Sequence, residues 1–307
     1  MQRSDLRICA DLTKPEVGEI NRRLDEYNLA QTGNRYHFPG KCDPGLAFNL
    51  AVKAPDGAVS AGIKVSSILG VMWLEVLWVG EAHRRRGLAS WLILEAERIA
   101  YEKGCVGAGT WTFSWQGAAF YPKVGYRLDG IYRGYPLGMT EHVLSKRLPS
   151  SDEVRRRINR RVERNRKAGY SLVTIPTEEE MRVVEDGLGR YCVAHAGDEM
   201  HNPGIKVRLA LRDEEGGLTG GLMADTTIRI IALEALWVDE AWRGLGYGTR
   251  LLAEAERIAK DHGCVAAQGS CLSFQSPGFF HKQGYESFGT VDVYLGETTE
   301  DLLIKTF

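Results

Sequence analysis

The chain contains an internal repeat of 53 residues, and this repeat constrains the fold more than any other feature. Residues 74–126 align without a gap on residues 233–285, a shift of 159, and 26 of the 53 aligned positions are identical. Solenoid units are about 20 to 50 residues long and recur several times, whereas this segment occurs twice. The repeat therefore predicts a duplicated domain in which each copy has its own core and its own site.

Length and composition agree with two globular domains. The chain has 307 residues, of which 44% are hydrophobic and 26% charged, and a domain typically has about 100 to 200 residues. From the repeat we predict an N-terminal domain over residues 1–149, a linker over 150–168 and a C-terminal domain over 169–307.

Composition also limits the location and the partners. The formal net charge is −1, so bulk charge predicts neither a nucleic-acid partner nor a membrane partner. The N-terminus lacks an apolar run of the signal-peptide type, and no segment approaches the ~20 apolar residues of a membrane span, so we expect a cytoplasmic protein. The six cysteines show no metal-ligand spacing, and we expect no metal site.

Each copy shows the same order of predicted elements. A short strand and a helix come first, followed by a hairpin, a strongly apolar strand, a glycine-containing loop and a long helix. A further strand, a short helix and a final hairpin complete the copy. This order predicts an α/β fold class in which each copy is a mixed, mostly antiparallel sheet flanked by helices, with a basic helix joining the two.

The loop between the apolar strand and the long helix is the main candidate site. It spans residues 84–89 (RRRGLA) in the first copy and residues 243–248 (RGLGYG) in the second. The first turn of a helix has unpaired N–H groups and a positive dipole end, which attract phosphate oxygens. Glycine lets the backbone approach the anion closely, and the leading Arg84 or Arg243 adds a positive charge. The loop therefore predicts a pyrophosphate-binding site.

In both copies an aromatic-x-Lys-x-Gly-Tyr segment follows this loop about 30 residues later. With this order of motifs the chain resembles the GNAT superfamily of acyl-CoA-dependent N-acyltransferases over nearly all of both halves. The resemblance implies acetyl-CoA, or another acyl-CoA, as the donor. The positions that it implies for donor binding are Leu77, Trp78, Val79, Arg84, Arg85, Arg86, Gly87, Leu88 and Ala89 in the first copy, and Leu236, Trp237, Val238, Arg243, Gly244, Leu245, Gly246, Tyr247 and Gly248 in the second.

The resemblance also implies catalytic candidates. A carboxylate on the apolar strand, Glu75 or Glu234, is a candidate base for the acceptor amine, although a structural carboxylate paired with a neighbour is an equal alternative. Strand alternation predicts that Glu75 lies on the same face as Leu77. A tyrosine in the short C-terminal helix typically protonates the departing thiolate in this family. The first copy has Tyr121 there and the second has Phe280, which favours the first copy as the catalytic one.

Three functions compete at this point. The leading hypothesis is an N-acyltransferase in which a primary amine of a small molecule attacks the thioester directly. The linker suggests an aminoacyl-tRNA-dependent transferase, because residues 151–168 carry eight Arg or Lys against three acidic residues and Arg-rich helices bind RNA phosphates. The linker positions proposed for tRNA are Arg155, Arg156, Arg157, Arg160, Arg161 and Arg164. The third alternative is a non-catalytic CoA-binding protein.

Overall fold

The computed structural model describes residues 6–32, 46–150, 162–197 and 204–307, together with Asp152 and Arg156. None of the described helices is both long and apolar enough to cross a bilayer. The strands are β1 (Arg7–Cys9), β2 (Ala47–Lys53), β3 (Val59–Ile68), β4 (Val71–Val79), β5 (Gly107–Phe113), β6 (Arg127–Tyr132), β7 (Glu141–Arg147), β8 (Ser171–Val173), β9 (Lys206–Arg212), β10 (Leu218–Thr227), β11 (Ile230–Val238), β12 (Ala266–Leu272), β13 (Glu286–Val291) and β14 (Glu300–Thr306).

Six α-helical segments of more than one residue, besides short 3-10 turns, accompany these strands in the described part of the chain. They are α1 (Lys14–Thr32), α2 (Leu88–Glu102), α3 (162–167), α4 (Glu178–Ala196), α5 (Tyr247–Asp261) and α6 (Pro277–Lys282). Asp152 and Arg156 are also helical, and the other residues of the predicted linker helix lie outside the described residues. The α/β fold class is thus confirmed.

All fourteen strands form one sheet, in the order β1-β9-β10-β11-β12-β14-β13-β6-β7-β5-β4-β3-β2-β8. Two of the strand pairs, β4 with β5 and β11 with β12, are parallel. The two halves meet where Gly289 of β13 pairs with Gly130 of β6. A Cβ on Gly289 would lie 2.4 Å from the carbonyl oxygen of Asp129, so this junction requires glycine.

The sheet order reveals that the two halves exchange their first strand and helix. Strand β1 pairs with β9 of the second half, and β8 pairs with β2 of the first half. The helices are exchanged together with these strands: α1 packs on β10 and β11 of the second half, and α4 packs on β3 and β4 of the first. Each half therefore has its own long helix on one face of its sheet and the helix of the other half on the opposite face.

Buried contacts hold the exchanged helices in place. Ile20 of α1 is fully buried in a cluster with Met223, Ala235 and Trp237 of the second half. A Cβ on Gly187 of α4 would lie 2.3 Å from the Trp78 ring, so this helix lies directly on β4.

The packing units consequently differ from the sequence division at 149 and 169. The described elements between residues 46 and 197 form one unit, whereas the other unit combines elements of 6–32 with those of 204–307. The division along the chain still marks the repeat. It does not mark which segments pack together, because α1 and α4 each pack on the sheet of the other half.

Candidate functional site

Strands β4 and β5 separate at the predicted site, and β11 and β12 do the same in the second half. Pairing between β4 and β5 stops at Leu74 and Thr110, although β4 continues to Val79. In the second half the parallel pairing stops at Ala232. Leu77–Val79 therefore has no strand partner on the β5 side. The Val79 carbonyl accepts a hydrogen bond from Nε of Arg84 at 3.2 Å, and the other backbone groups on this side are available to a ligand that enters the gap.

The glycine loops lie beside these gaps and open the long helices. Gly87 precedes α2 with φ 85° and Gly246 precedes α5 with φ 85°, both in the left-handed region. No side chain caps either helix, so the N–H groups of the first turn point to the loop without a side-chain acceptor. The geometry of both loops fits a phosphate ligand.

A cavity of about 520 Å³ joins the open strand end and the loop in the first half. Eight of the nine predicted donor-binding residues line it, and Arg86 is exposed outside. These eight are Leu77, Trp78, Val79, Arg84, Arg85, Gly87, Leu88 and Ala89. Tyr121 lines the same cavity.

The second half has two cavities in the corresponding place. The larger one, of about 500 Å³, is lined by Leu236, Val238, Arg243, Gly244, Gly246, Tyr247, Gly248 and Phe280. The smaller one, of about 240 Å³, is lined by Trp237 and Glu234, and it shares Arg243 and Phe280 with the larger. Leu245, the counterpart of Arg86, is also exposed outside both cavities.

Tyr121 and Phe280 occupy equivalent places. Tyr121 begins a 3-10 turn, Tyr121–Val124, in which Pro122 takes the place of the α6 residue His281. The Tyr121 side chain is 7% exposed, and burial raises its pKa although a hydrogen bond with Thr110 opposes the shift. Tyr121 is therefore protonated at neutral pH. Phe280 has no proton to donate.

The two strand carboxylates lie at β-bulges, and the predicted alternation is wrong here. Lys64 of β3 pairs with Val76 and Val65 pairs with Leu74, which leaves Glu75 as the extra residue. Leu77 packs with the core beneath α2. Glu75 instead lies 3.8 Å from the ammonium of Lys64, whose other partner is Glu185 of α4. The bulge turns Glu75 to the face that α4 covers.

Glu234 has a different set of charged neighbours from Glu75. It lies 3.3 Å from Arg208, which also pairs with Asp225 at 2.7 Å. Burial and the neighbouring Asp225 raise the pKa of Glu234, while Arg208 opposes the shift. Glu234 lines the smaller cavity of the second half, whereas Glu75 is absent from the lining of the first-half cavity.

The exchanged helices contribute site residues that the sequence did not predict. Tyr191 of α4 lines the first cavity, and its ring lies 4.9 Å from the guanidinium of Arg84. Tyr27 of α1 lines the smaller second cavity, with Arg243 at 5.5 Å. The two tyrosine hydroxyls donate to equivalent backbone carbonyls, each at 3.1 Å. A shared Leu-x-x-Tyr pattern, at residues 24–27 and 188–191, was the available signal.

Two glutamines connect each site to its exchanged helix. The Gln116 amide donates to the Cys192 sulfur at 3.1 Å, and the Gln275 amide donates to Asn28 at 2.7 Å. Each site is therefore built from both halves of the chain.

Comparisons with known proteins show the family to which the chain belongs. The Acetyltransferase (GNAT) family matches residues 20–126 and 197–285, which is more than half of the chain. A blasticidin-S acetyltransferase of Streptomyces morookaense is 38% identical over 93 residues, covering 30% of this chain and 68% of the relative. An acetyltransferase of Agrobacterium fabrum is 25% identical over 122 residues, covering 40% of this chain and 87% of the relative.

A solved structure is also similar to part of this chain. The crystal structure of an acetyltransferase from Bacillus cereus is 31% identical, with a TM-score of 0.42, and covers 44% of this chain and 96% of its own. Each of these proteins matches less than half of this chain and most of its own length.

Proposed function

The chain belongs to the GNAT family of acetyltransferases and is an N-acetyltransferase, and from this premise we propose that it transfers the acetyl group of acetyl-CoA to a primary amine of a small molecule. We place the transfer in the first half. The observation that carries this assignment is the position of Tyr121, in the same cavity as the glycine loop and the open end of β4.

The donor site follows from the geometry of the loop and strand. Bound acetyl-CoA supplies the thioester whose acyl group is transferred. The N–H groups of the first turn of α2 and the side chains of Arg84 and Arg85 hold its phosphates. The free backbone groups of Leu77–Val79 hold the pantetheine arm and orient the thioester carbonyl.

The chemistry requires two proton transfers. An N–C bond forms and a C–S bond breaks, the amine nitrogen loses a proton and the departing sulfur accepts one. Tyr121 donates the proton to sulfur, because its raised pKa keeps the hydroxyl protonated. We propose that Glu75 accepts the amine proton in the first half. Because Glu75 lies outside the donor cavity, on the face that α4 covers, this assignment places the acceptor amine on that face. Glu234 is its counterpart by position in the second half.

The acceptor class rests on the relatives. The Streptomyces protein that is 38% identical is a blasticidin-S acetyltransferase, so its named acceptor is a small molecule. This supports a small-molecule amine as the acceptor here.

A variant of Tyr121 tests the assignment. We expect Tyr121→Phe to lower kcat by about 100-fold, because general acid catalysis contributes on this scale. The affinity for acetyl-CoA, measured by calorimetry, should not change. Phe280→Leu is the matched control in the second half and should leave turnover unchanged. A Tyr121→Phe enzyme with wild-type kcat would remove the case for the first half.

The second half has the loop and the cavities without a proton donor at position 280. We therefore propose that it binds the donor and supports the fold without transferring the acyl group. Calorimetry with acetyl-CoA on Ala89→Glu and Gly248→Glu tests this, since each places a carboxylate in one cavity. Each variant should lose one of two binding events.

The aminoacyl-tRNA alternative remains a prediction about the linker. Arg155, Arg157, Arg160 and Arg161 lie outside the described residues, while Arg156 and Arg164 lie within them. Retention of tRNA that weakens steeply with salt would favour this donor.

A further inference from the structure

The described C-terminal part of the linker, α3, packs on the first half beside its glycine loop. Val162, the first described residue of α3, and Tyr170, three residues after α3 ends, are buried in the core of the first half. Asn165 is 3% exposed. The Tyr170 hydroxyl lies 2.9 Å from Nδ1 of His83, which lines the donor cavity. Buried contacts at both ends therefore fix the position of α3 relative to the loop.

Arg164 of α3 lies directly on the loop. Its Nη2 donates to the carbonyl of Arg86 at 3.3 Å. The same nitrogen is 3.3 Å from the position that a Cβ on Gly87 would occupy. Gly87 is the residue that opens α2, so the guanidinium of Arg164 sits next to the N–H groups assigned to phosphate.

This contact concentrates positive charge at one loop. Arg84, Arg85, Arg86 and Arg164 are all exposed, and none of them forms an ion pair with a described residue. Four like charges this close repel one another unless an anion lies among them. In the second half, Gly244 and Leu245 replace two of these arginines, and the loop keeps Arg243, with Arg250 one turn into α5.

We propose that Arg164 is a donor-binding residue that extends the phosphate site of the first half, so that this half binds acyl-CoA more tightly than the second. CoA carries a pyrophosphate and a 3′-phosphate, and a guanidinium forms paired hydrogen bonds with phosphate oxygens. Arg164 thus gives two similar loops different affinities for acyl-CoA. This inference rests on the proposed use of acyl-CoA.

Calorimetry with CoA on single-site backgrounds tests the proposal. Gly248→Glu leaves the first site, and Ala89→Glu leaves the second; both positions have ordinary helical backbone, and circular dichroism verifies folding. In the Gly248→Glu background we expect Arg164→Ala to weaken CoA binding about tenfold, the loss of one good phosphate contact. In the Ala89→Glu background the same change should have no effect.

Two further variants separate a specific contact from general charge. Arg166→Ala removes the same charge from the same exposed helix and should leave CoA affinity unchanged. Arg164→Lys should restore part of the lost affinity. Equal losses for Arg164→Ala and Arg166→Ala, or no loss for Arg164→Ala, would overturn the proposal.

Dephospho-CoA identifies the phosphate that Arg164 contacts. A penalty for Arg164→Ala with CoA but not with dephospho-CoA supports a contact to the 3′-phosphate. An equal penalty with both supports a contact to the pyrophosphate.

Two other outcomes separate this proposal from the proposed function. Absence of CoA binding by the wild-type protein would defeat both, whereas wild-type CoA affinity in Arg164→Ala would defeat the linker contact alone. If unacylated tRNA competes with CoA and loses affinity through Arg164→Ala while CoA does not, the arginine serves RNA and the proposal is wrong.

Discussion

Arg85 adopts a left-handed backbone conformation, with φ 63°, which is unfavourable for a residue with a side chain. The equivalent residue of the second half is Gly244, with φ 74°. The first half therefore keeps an arginine where glycine would be less strained. Because Arg85 also lines the donor cavity, we interpret this strain as the cost of placing a positive charge at the phosphate site.

Glycine at position 85 should increase the stability of the protein and weaken donor binding. We expect Arg85→Gly to raise the free energy of unfolding by up to about 1 kcal/mol and to weaken acetyl-CoA binding at the first site. Denaturant unfolding and calorimetry measure the two effects. Arg86→Gly is the matched control, because its backbone is outside the left-handed region, and it should not stabilise the protein. Destabilisation by Arg85→Gly would contradict the interpretation.

At the scale of elements, the exchanged helices complete the donor sites of the opposite halves. The Tyr191 ring lies against Arg84, and the Tyr27 ring lies against Arg243. A cation–π contact of this kind contributes about 0.5–1 kcal/mol at an exposed site and about 2 kcal/mol when desolvated. Each aromatic ring therefore restricts the side-chain conformation of the first arginine of its loop, Arg84 or Arg243.

A substitution in α4 should therefore affect the donor site of the first half, and a substitution in α1 should affect that of the second half. We expect Tyr191→Ala to weaken acetyl-CoA binding at the first site by about three- to tenfold, measured in the Gly248→Glu background. Tyr27→Ala should affect the second site, measured in the Ala89→Glu background. A Tyr191→Ala effect confined to the second site would show that the exchange does not occur in solution.

The attachment of α1 to the second half should depend on pH. The Glu16 carboxylate accepts a hydrogen bond from Arg212 of β9 at 2.7 Å, and Thr13 donates to its other oxygen. These bonds lower the pKa of Glu16 to about 2. A lowered pKa in the folded state means that the contribution of Glu16 is complete above its unfolded value, about 4.3, and is lost as the pH falls towards 2.

Thermal unfolding of Glu16→Gln measures this contribution. The variant should have a lower Tm than the wild type at pH 7, and the difference should shrink between about pH 5 and pH 2. Glu26→Gln is the control on the same helix, because its exposed carboxylate pairs within α1 and solvent screens it. A Tm difference that is constant with pH would contradict the role of this pair.

At the scale of the whole molecule, the exchange makes the folding units differ from the repeated segments. Residues 46–197 contain β2 to β8 with both covering helices, α2 and α4. A fragment 1–149 would contain the first sheet without α4, which leaves the apolar face around Gly62 and Trp78 bare.

We therefore expect the fragment 46–197 to unfold cooperatively and the fragment 1–149 not to. Exposed apolar sheet faces promote aggregation and remove the main source of stability. Circular dichroism melts and gel filtration of the two fragments test this. A cooperative, monomeric 1–149 fragment alongside an unfolded 46–197 fragment would show that each half uses its own helix.

Local sequence patterns were sufficient for the elements and for much of the candidate site. The loop residues follow an apolar strand and precede an amphipathic helix, and both features depend on residues that are close in the chain. The loop Arg84–Ala89 was predicted in this way and Leu77–Val79 from the family resemblance, and all of these residues except Arg86 line one cavity. The face of Glu75 could not be predicted, because a β-bulge depends on the register with β3.

The sequence by itself determined that the chain has two copies of one α/β unit, with two glycine loops and a single tyrosine at the position of Tyr121 and Phe280. These are properties of the repeat. Only the tertiary structure decided which helix covers which sheet. Val162 of α3 and Tyr170, which directly precedes β8, are both buried in the first core. Strand β8 therefore starts beside β2, and α4, which follows it, packs on the first half. The two sheets offer similar faces to similar helices, so long-range packing, rather than local preference, selects the exchange.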